Sequence, residues 1–82
     1  MTQLQETFLS ELKSKEKLTI ADYAALYNKH CALAIEHEAS NGASEQQAKS
    51  MGNYYTVTVL SDFIGSENKL ARIIHFAEST PR

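Results

Sequence analysis

The stretch Thr19–Ser40, TIADYAALYNKHCALAIEHEAS, decides how this 82-residue chain folds. At about 100° per residue, Leu33, Leu26, His37, His30, Tyr23, Ala34, Tyr27, Ile20, Cys31, Ala24 and Ile35 fill an arc of roughly 200°. A helix packed on one side needs an apolar stripe only somewhat wider than about 100°. Coverage from two sides is therefore expected, with Asp22, Asn28, Lys29, Glu36 and some alanines left for water. Both ends carry signals. Thr19 and Asp22 have the spacing of a capping box, and Leu18 and Tyr23 that of a hydrophobic staple. Asn41-Gly42 is a stop, because both residues tolerate a positive φ.

Working outward, residues 2–15 place Leu4, Phe8 and Leu12 at i, i+4 steps, with Thr2 and Gln5 spaced for a capping box. Gln3, Glu6, Ser10 and Lys13 make the polar side. Downstream, Ser44 and Gln47 open a helix over 44–64, carried by Ala48, Met51, Tyr55 and Val59. Within it, Tyr54-Tyr55-Thr56-Val57-Thr58-Val59-Leu60 has the composition and near-alternation of a strand. A lone strand has no partner in this chain and could pair only with a second copy. Helix is the expectation and an intermolecular strand the alternative. As a helix, Val57, Leu60 and Ile64 fall opposite Met51, Tyr55 and Val59, which implies burial on both sides. Gly52 suits a close helix crossing. Gly65-Ser66 then breaks the pattern, or the two segments merge into one rod. A last helix over 66–78 carries Leu70, Ile73, Ile74 and Ala77, and 79–82 reads as a frayed tail.

The fold class expected is all-α: a small antiparallel bundle of three to four helices in a single helical domain. Two helices showing more apolar face than one small bundle needs predict self-association, most simply a homodimer. Eight basic against ten acidic residues, net −2, lack the basic excess of an electrostatic nucleic-acid binder. One cysteine excludes an internal disulfide framework, and nothing resembles a leader or a membrane span. A cytoplasmic protein is expected.

His30, Cys31 and His37 first suggest a metal site. Seven residues separate the histidines, about 10.5 Å along the axis, too far to share one ion. No carboxylate or histidine stands three or four positions after either. Cys31 is mid-helix among Ile20, Ala24 and Ile35, as a small hydrophobe rather than a nucleophile. No catalytic set, phosphate-cradling loop or cofactor motif is present, so neither an enzyme nor a cofactor is expected. The passage through Asn41-Gly42-Ala43 resembles the turn of a helix-turn-helix, and Gln46, Gln47, Lys49 and Asn53 could read base edges. Against that, Glu36, Glu38 and Glu45 surround the turn and Lys49 is the only base nearby.

Tyr54 and Tyr55 point about 100° apart on a helix, so both cannot enter one core. With Met51 they mark a contact surface. His30 and His37, on one side of the central arc, would join it, and association would then weaken below about pH 6. The expected function is a small non-enzymatic interaction or regulatory module that self-associates and binds a protein partner. A helix-turn-helix-like accessory protein and a metal-binding helical protein are the alternatives.

Overall fold

A computed structural model describes residues 2–79, which form four α-helices: α1 (Gln3–Ser14), α2 (Ile20–Ser40), α3 (Glu45–Ile64) and α4 (Glu67–Ser79). The tail reading for 80–82 lies outside the described residues. Each of the first three helices begins where the sequence places a cap. Thr2, Thr19 and Ser44 accept from the backbone N–H three residues on, and Gln5, Asp22 and Gln47 reach back to the cap N–H. Those reciprocal bonds satisfy donors that have no partner inside a helix. At Asp22, the Thr19 N–H holds the carboxyl below the usual aspartate range. Ser66 caps α4 more loosely, its hydroxyl accepting from Lys69 N–H at 3.4 Å.

Two glycines end helices and one joins them. Gly42 and Gly65 have φ of +94° and +66°, so α3 and α4 are separate helices, not one rod. Gly52 lies inside α3 against α2. A Cβ there would come within 2.6 Å of Ile35 Cγ1 and 2.9 Å of Ile35 N. It is the close crossing that its sequence position suggests.

The strand-like run is helical throughout. Two of its β-branched residues are threonines whose hydroxyls bond back one turn, Thr56 to Gly52 O at 2.8 Å and Thr58 to Tyr54 O at 2.7 Å. Apolar contact with α2 supplies what intrinsic propensity does not.

The core draws on all four helices through Phe8, Leu12, Tyr23, Ala24, Leu26, Tyr27, Val59, Leu60, Ile73 and Ala77. α2 lies at its centre. Ile35 meets Gly52 while His30 and Ala34 border Tyr55 and Thr56, so α2 and α3 run antiparallel. Tyr23 faces Lys69 and Asn28 bonds to Ala77, so α2 and α4 share a direction.

Two details depart from the periodicity. The α3 stripe that enters the core is Ala48, Gly52, Thr56, Val59 and Leu60, not two opposed apolar faces. Met51 is exposed, and Tyr55, Val57 and Ile64 are half-buried. Small residues win the buried stripe because α2 approaches α3 closely at Gly52. The α2 arc is also narrower at its C-terminal end. There Leu33 is 41 % exposed and His37 is exposed. α1 has 12 residues against 21 in α2, about 18 Å against about 31 Å. Its Leu4 is level with Ala34, so His37, nearly a turn beyond, extends past α1.

Candidate functional site

Two arrangements invite a functional reading: a polar cluster inside the bundle and a bare face outside it. The cluster joins α1 to α2. Phe8 stacks on His30 with ring centroids 4.6 Å apart and planes inclined by 22°. Packed under Phe8 and against Glu11, His30 is only 4 % exposed. Its Nε2 lies 2.5 Å from Glu11 Oε2, and Lys29 Nζ donates to Glu11 Oε1 at 3.0 Å. An ionised carboxylate accepts only, so Nε2 carries a hydrogen and donates. The His30 bond first, and the Lys29 bond second, hold the Glu11 carboxyl below the ordinary glutamate range. Beside His30 is a niche of about 10 Å³ lined by Leu4, Gln5, Phe8, Ala34, Tyr55 and Thr56. It has room for about one water.

This cluster ties helices together. Glu11→Ala leaves a buried ring nitrogen without its acceptor and is expected to cost about 1–3 kcal/mol in urea denaturation. Glu11→Gln keeps an acceptor and is expected to cost less. The pH response has a definite sign. Because Glu11 holds its proton less tightly folded than unfolded, its stabilisation is complete above the unfolded value of 4.5. It is lost as pH falls through the lower folded value. The wild-type urea midpoint should therefore fall below about pH 4.5, and more steeply than that of Glu11→Gln. Parallel profiles would show that Glu11 carries none of the acid response.

His30 and His37 are not brought together. His30 belongs to the interior, correcting its placement at a contact surface. His37 is exposed, and its Nε2 accepts from Asn41 Nδ2 at 3.1 Å. Among the described residues no group of three histidines, cysteines or acids is arranged around a common point. Cys31 is 1 % exposed, and its thiol donates to Asn53 Oδ1 at 2.6 Å. It is therefore a polar link between α2 and α3 as well as a small core residue. The base-reading set is only partly available. Gln46, Gln47, Lys49 and Asn53 are all exposed, but Asn53 accepts from Cys31 and Lys49 lies 3.4 Å from Glu45.

The bare face belongs to α3. From Ser50 to Ser61 no residue carries a charge, in a chain where 22 % do. One side of this segment is the core stripe. The opposite side presents Ser50, Tyr54 and Ser61, with the half-buried Val57 also packing against the core, along a shallow open groove that Asp62 lines at one end. Tyr54 is 67 % exposed, and its ring leans edge-on against Tyr55 at 6.0 Å. Tyr55 is half-buried beneath α1, where Gln5 Nε2 donates to its carbonyl at 3.4 Å. The two tyrosines diverge as helical geometry requires. Met51, 38 % exposed, borders the same face.

Sequence reading singled out Tyr54, Tyr55 and Met51 and missed the Glu11 cluster. Glu11 lies three residues after Phe8 and next to Leu12, on the edge of the α1 apolar stripe. That edge position is a signal for α1 alone. Its pairing with His30 depends on how two helices meet.

No helix among the described residues is long and apolar enough to cross a membrane. No protein-family model matches the chain, and no curated protein or solved structure matches it.

Proposed function

We propose that this protein is a small non-enzymatic helical interaction module, which self-associates and binds a protein partner. The observation that carries the reading is the outer face of α3, which carries no charge from Ser50 to Ser61 and has exposed Tyr54 at its middle. Solvated helix faces are normally rich in charge, because charged side chains are stable in water and disfavour association. Contact surfaces reverse this. Their centres are depleted in charge and enriched in tyrosine and methionine. Tyr54 has the properties of an anchor: a large rigid ring, little side-chain entropy to lose and a hydroxyl that is satisfied wet or dry.

The niche beside His30 is about 10 Å³, room for about one water and far below the several hundred of a small-molecule site, so the polar cluster around it is not such a site. His30 and Glu11 bond to each other and Phe8 covers the ring, which leaves them as a structural tie.

Light scattering over a wide concentration range tests the reading. The wild type is expected to rise toward twice the monomer mass. Tyr54→Arg, which sets a charge in the middle of the face, is expected to remain monomeric with unchanged helicity and melting, and to weaken association at least tenfold. A wild type that stays monomeric at millimolar concentration, or a Tyr54→Arg variant that associates equally well, would overturn it.

A further inference from the structure

We infer that α1 is exchangeable: in a dimer of this chain, each copy docks its α1 in the α2–α3 cradle of the other. The partner is a second copy, and the hinge is the connection Lys15–Thr19. This route to association is separate from the outer α3 face. It uses none of that face's side chains and requires α1 to undock first.

Two features carry it, and the first is the hinge. Five residues join α1 to α2, and Lys17 among them has φ of +53°. It is the only residue other than glycine with a positive φ among the described residues. There an L side chain crowds the backbone carbonyl, so the closed turn holds a lysine in a conformation suited to glycine. Gly42 and Gly65 meet the same demand at the other two turns. Opening the hinge returns Lys17 to an extended backbone and relieves the strain once in each copy. Short hinges under strain favour exchange for this reason.

The second feature is how α1 is held. Among the described residues it packs on α2 and α3 and not on α4. Phe8 stacks on His30, Glu11 bonds to His30 and Lys29, and Gln5 donates to the Tyr55 carbonyl. Each of these ties crosses from α1 to the cradle, so each can form between copies with the same geometry. The caps stay within single elements, Thr2 with Gln5 in α1 and Thr19 with Asp22 in α2. Exchange therefore gives up only the closed hinge. The remaining helices keep their own links through Gly52 and Ile35, Cys31 and Asn53, and Asn28 and Ala77. A straightened hinge of five residues spans about 17 Å, enough to carry α1 away from its own cradle. The closed monomer avoids the entropy cost of association and prevails in dilute solution. The exchanged dimer forms when chains fold together at high concentration, and it persists on dilution until α1 undocks again.

Refolding from urea tests this, with the products separated by size exclusion. Refolding at millimolar concentration is expected to give a dimer that survives dilution, and refolding at micromolar concentration the monomer. Carbodiimide then joins Glu11 to Lys29, whose charged groups lie 3.0 Å apart. In the exchanged dimer that amide links two chains and gives a denatured band of twice the mass, which Lys29→Gln should abolish. In the monomer it closes within one chain. Lys17→Gly is expected to lower the dimer yield at least tenfold, and Lys17→Pro, whose ring forbids a positive φ, to raise it. Circular dichroism at micromolar concentration checks each fold. Tyr54→Arg should exchange as the wild type does, which keeps this result distinct from association through the outer face. A persistent dimer that Tyr54→Arg abolishes and Lys17→Gly leaves unchanged would overturn the exchange and leave the interaction module standing. A double-mass band that survives Lys29→Gln would also overturn it, as would the absence of any persistent dimer after concentrated refolding.

Discussion

Gly52→Val is expected to destabilise the bundle by about 3 kcal/mol, the upper end of what overpacking a core costs. A Cβ at this position meets Ile35 Cγ1 at 2.6 Å and Ile35 N at 2.9 Å. The first atom can move by rotation of a side chain. The second is backbone, so α2 and α3 have to separate. Gly52→Ala introduces the same Cβ without the two further methyls. It regains about 1 kcal/mol of helix propensity over glycine, so its net loss should be smaller, about 1–2 kcal/mol. A double-mutant cycle with Ile35→Ala divides the two contacts. Truncating Ile35 relieves the side-chain clash and leaves the backbone one, so rescue should be partial. A Gly52→Ala variant as stable as wild type would show that the helices are not held at this distance, and the close crossing would be wrong.

That crossing illustrates what the sequence makes legible. Helix limits are local. Thr2/Gln5, Thr19/Asp22 and Ser44/Gln47 each act within one turn, and Asn41-Gly42 and Gly65 act through their own backbone angles. All can be read without knowing the fold. Gly52 is half local: a glycine inside a helical pattern signals close approach but does not name Ile35. The choice of the α3 buried stripe is not local at all. Met51 and Tyr55 have the larger side chains, yet Ala48, Gly52 and Thr56 are buried, because the separation of α2 and α3 admits only small groups there. Side-chain periodicity weighs hydrophobicity and is blind to that separation.

The candidate surface divides in the same way. The absence of charge between Lys49 and Asp62 and the divergence of Tyr54 from Tyr55 are properties of one helix, and both are visible in the letters. Which side α1 covers is not. The Gln5 contact places α1 over Tyr55 and leaves Tyr54 outside. His30 shows the limit most clearly. Helical spacing puts it beside His37 on one edge of α2, but α1 reaches only as far as Ala34, so one histidine is enclosed and the other is wet. The pH-sensitive interface expected of that pair loses its first member, and the acid response moves to Glu11.

Phe8→Ala is expected to have the largest effect, a loss of about 3–5 kcal/mol, as for other buried aromatic truncations. Eighty-two residues at about 0.05–0.15 kcal/mol each give a total stability of roughly 4–12 kcal/mol, so the loss takes from about a quarter of it to all of it. The mechanism is specific to α1. Its fully buried side chains are Phe8 and Leu12, each 1 % exposed. Removing Phe8 takes away one of two anchors, the ring stacked on His30 and the wall of the niche beside it. Phe8→Leu restores most of the volume without the stack, and should cost about 1–2 kcal/mol. The loss is expected to be uneven along the chain. In Phe8→Ala, amide hydrogens of α1 should exchange markedly faster than those of α2 and α3, whose contact at Gly52 does not involve α1. Uniform acceleration over all four helices would mean that α1 and the α2–α3 pair unfold only together. A loss below about 1 kcal/mol would mean that α1 is not docked through Phe8. Undocking α1 also uncovers Tyr55 beside the α3 face, so the same variant should associate more strongly per folded molecule, with Tyr55 added to the surface that Tyr54 begins.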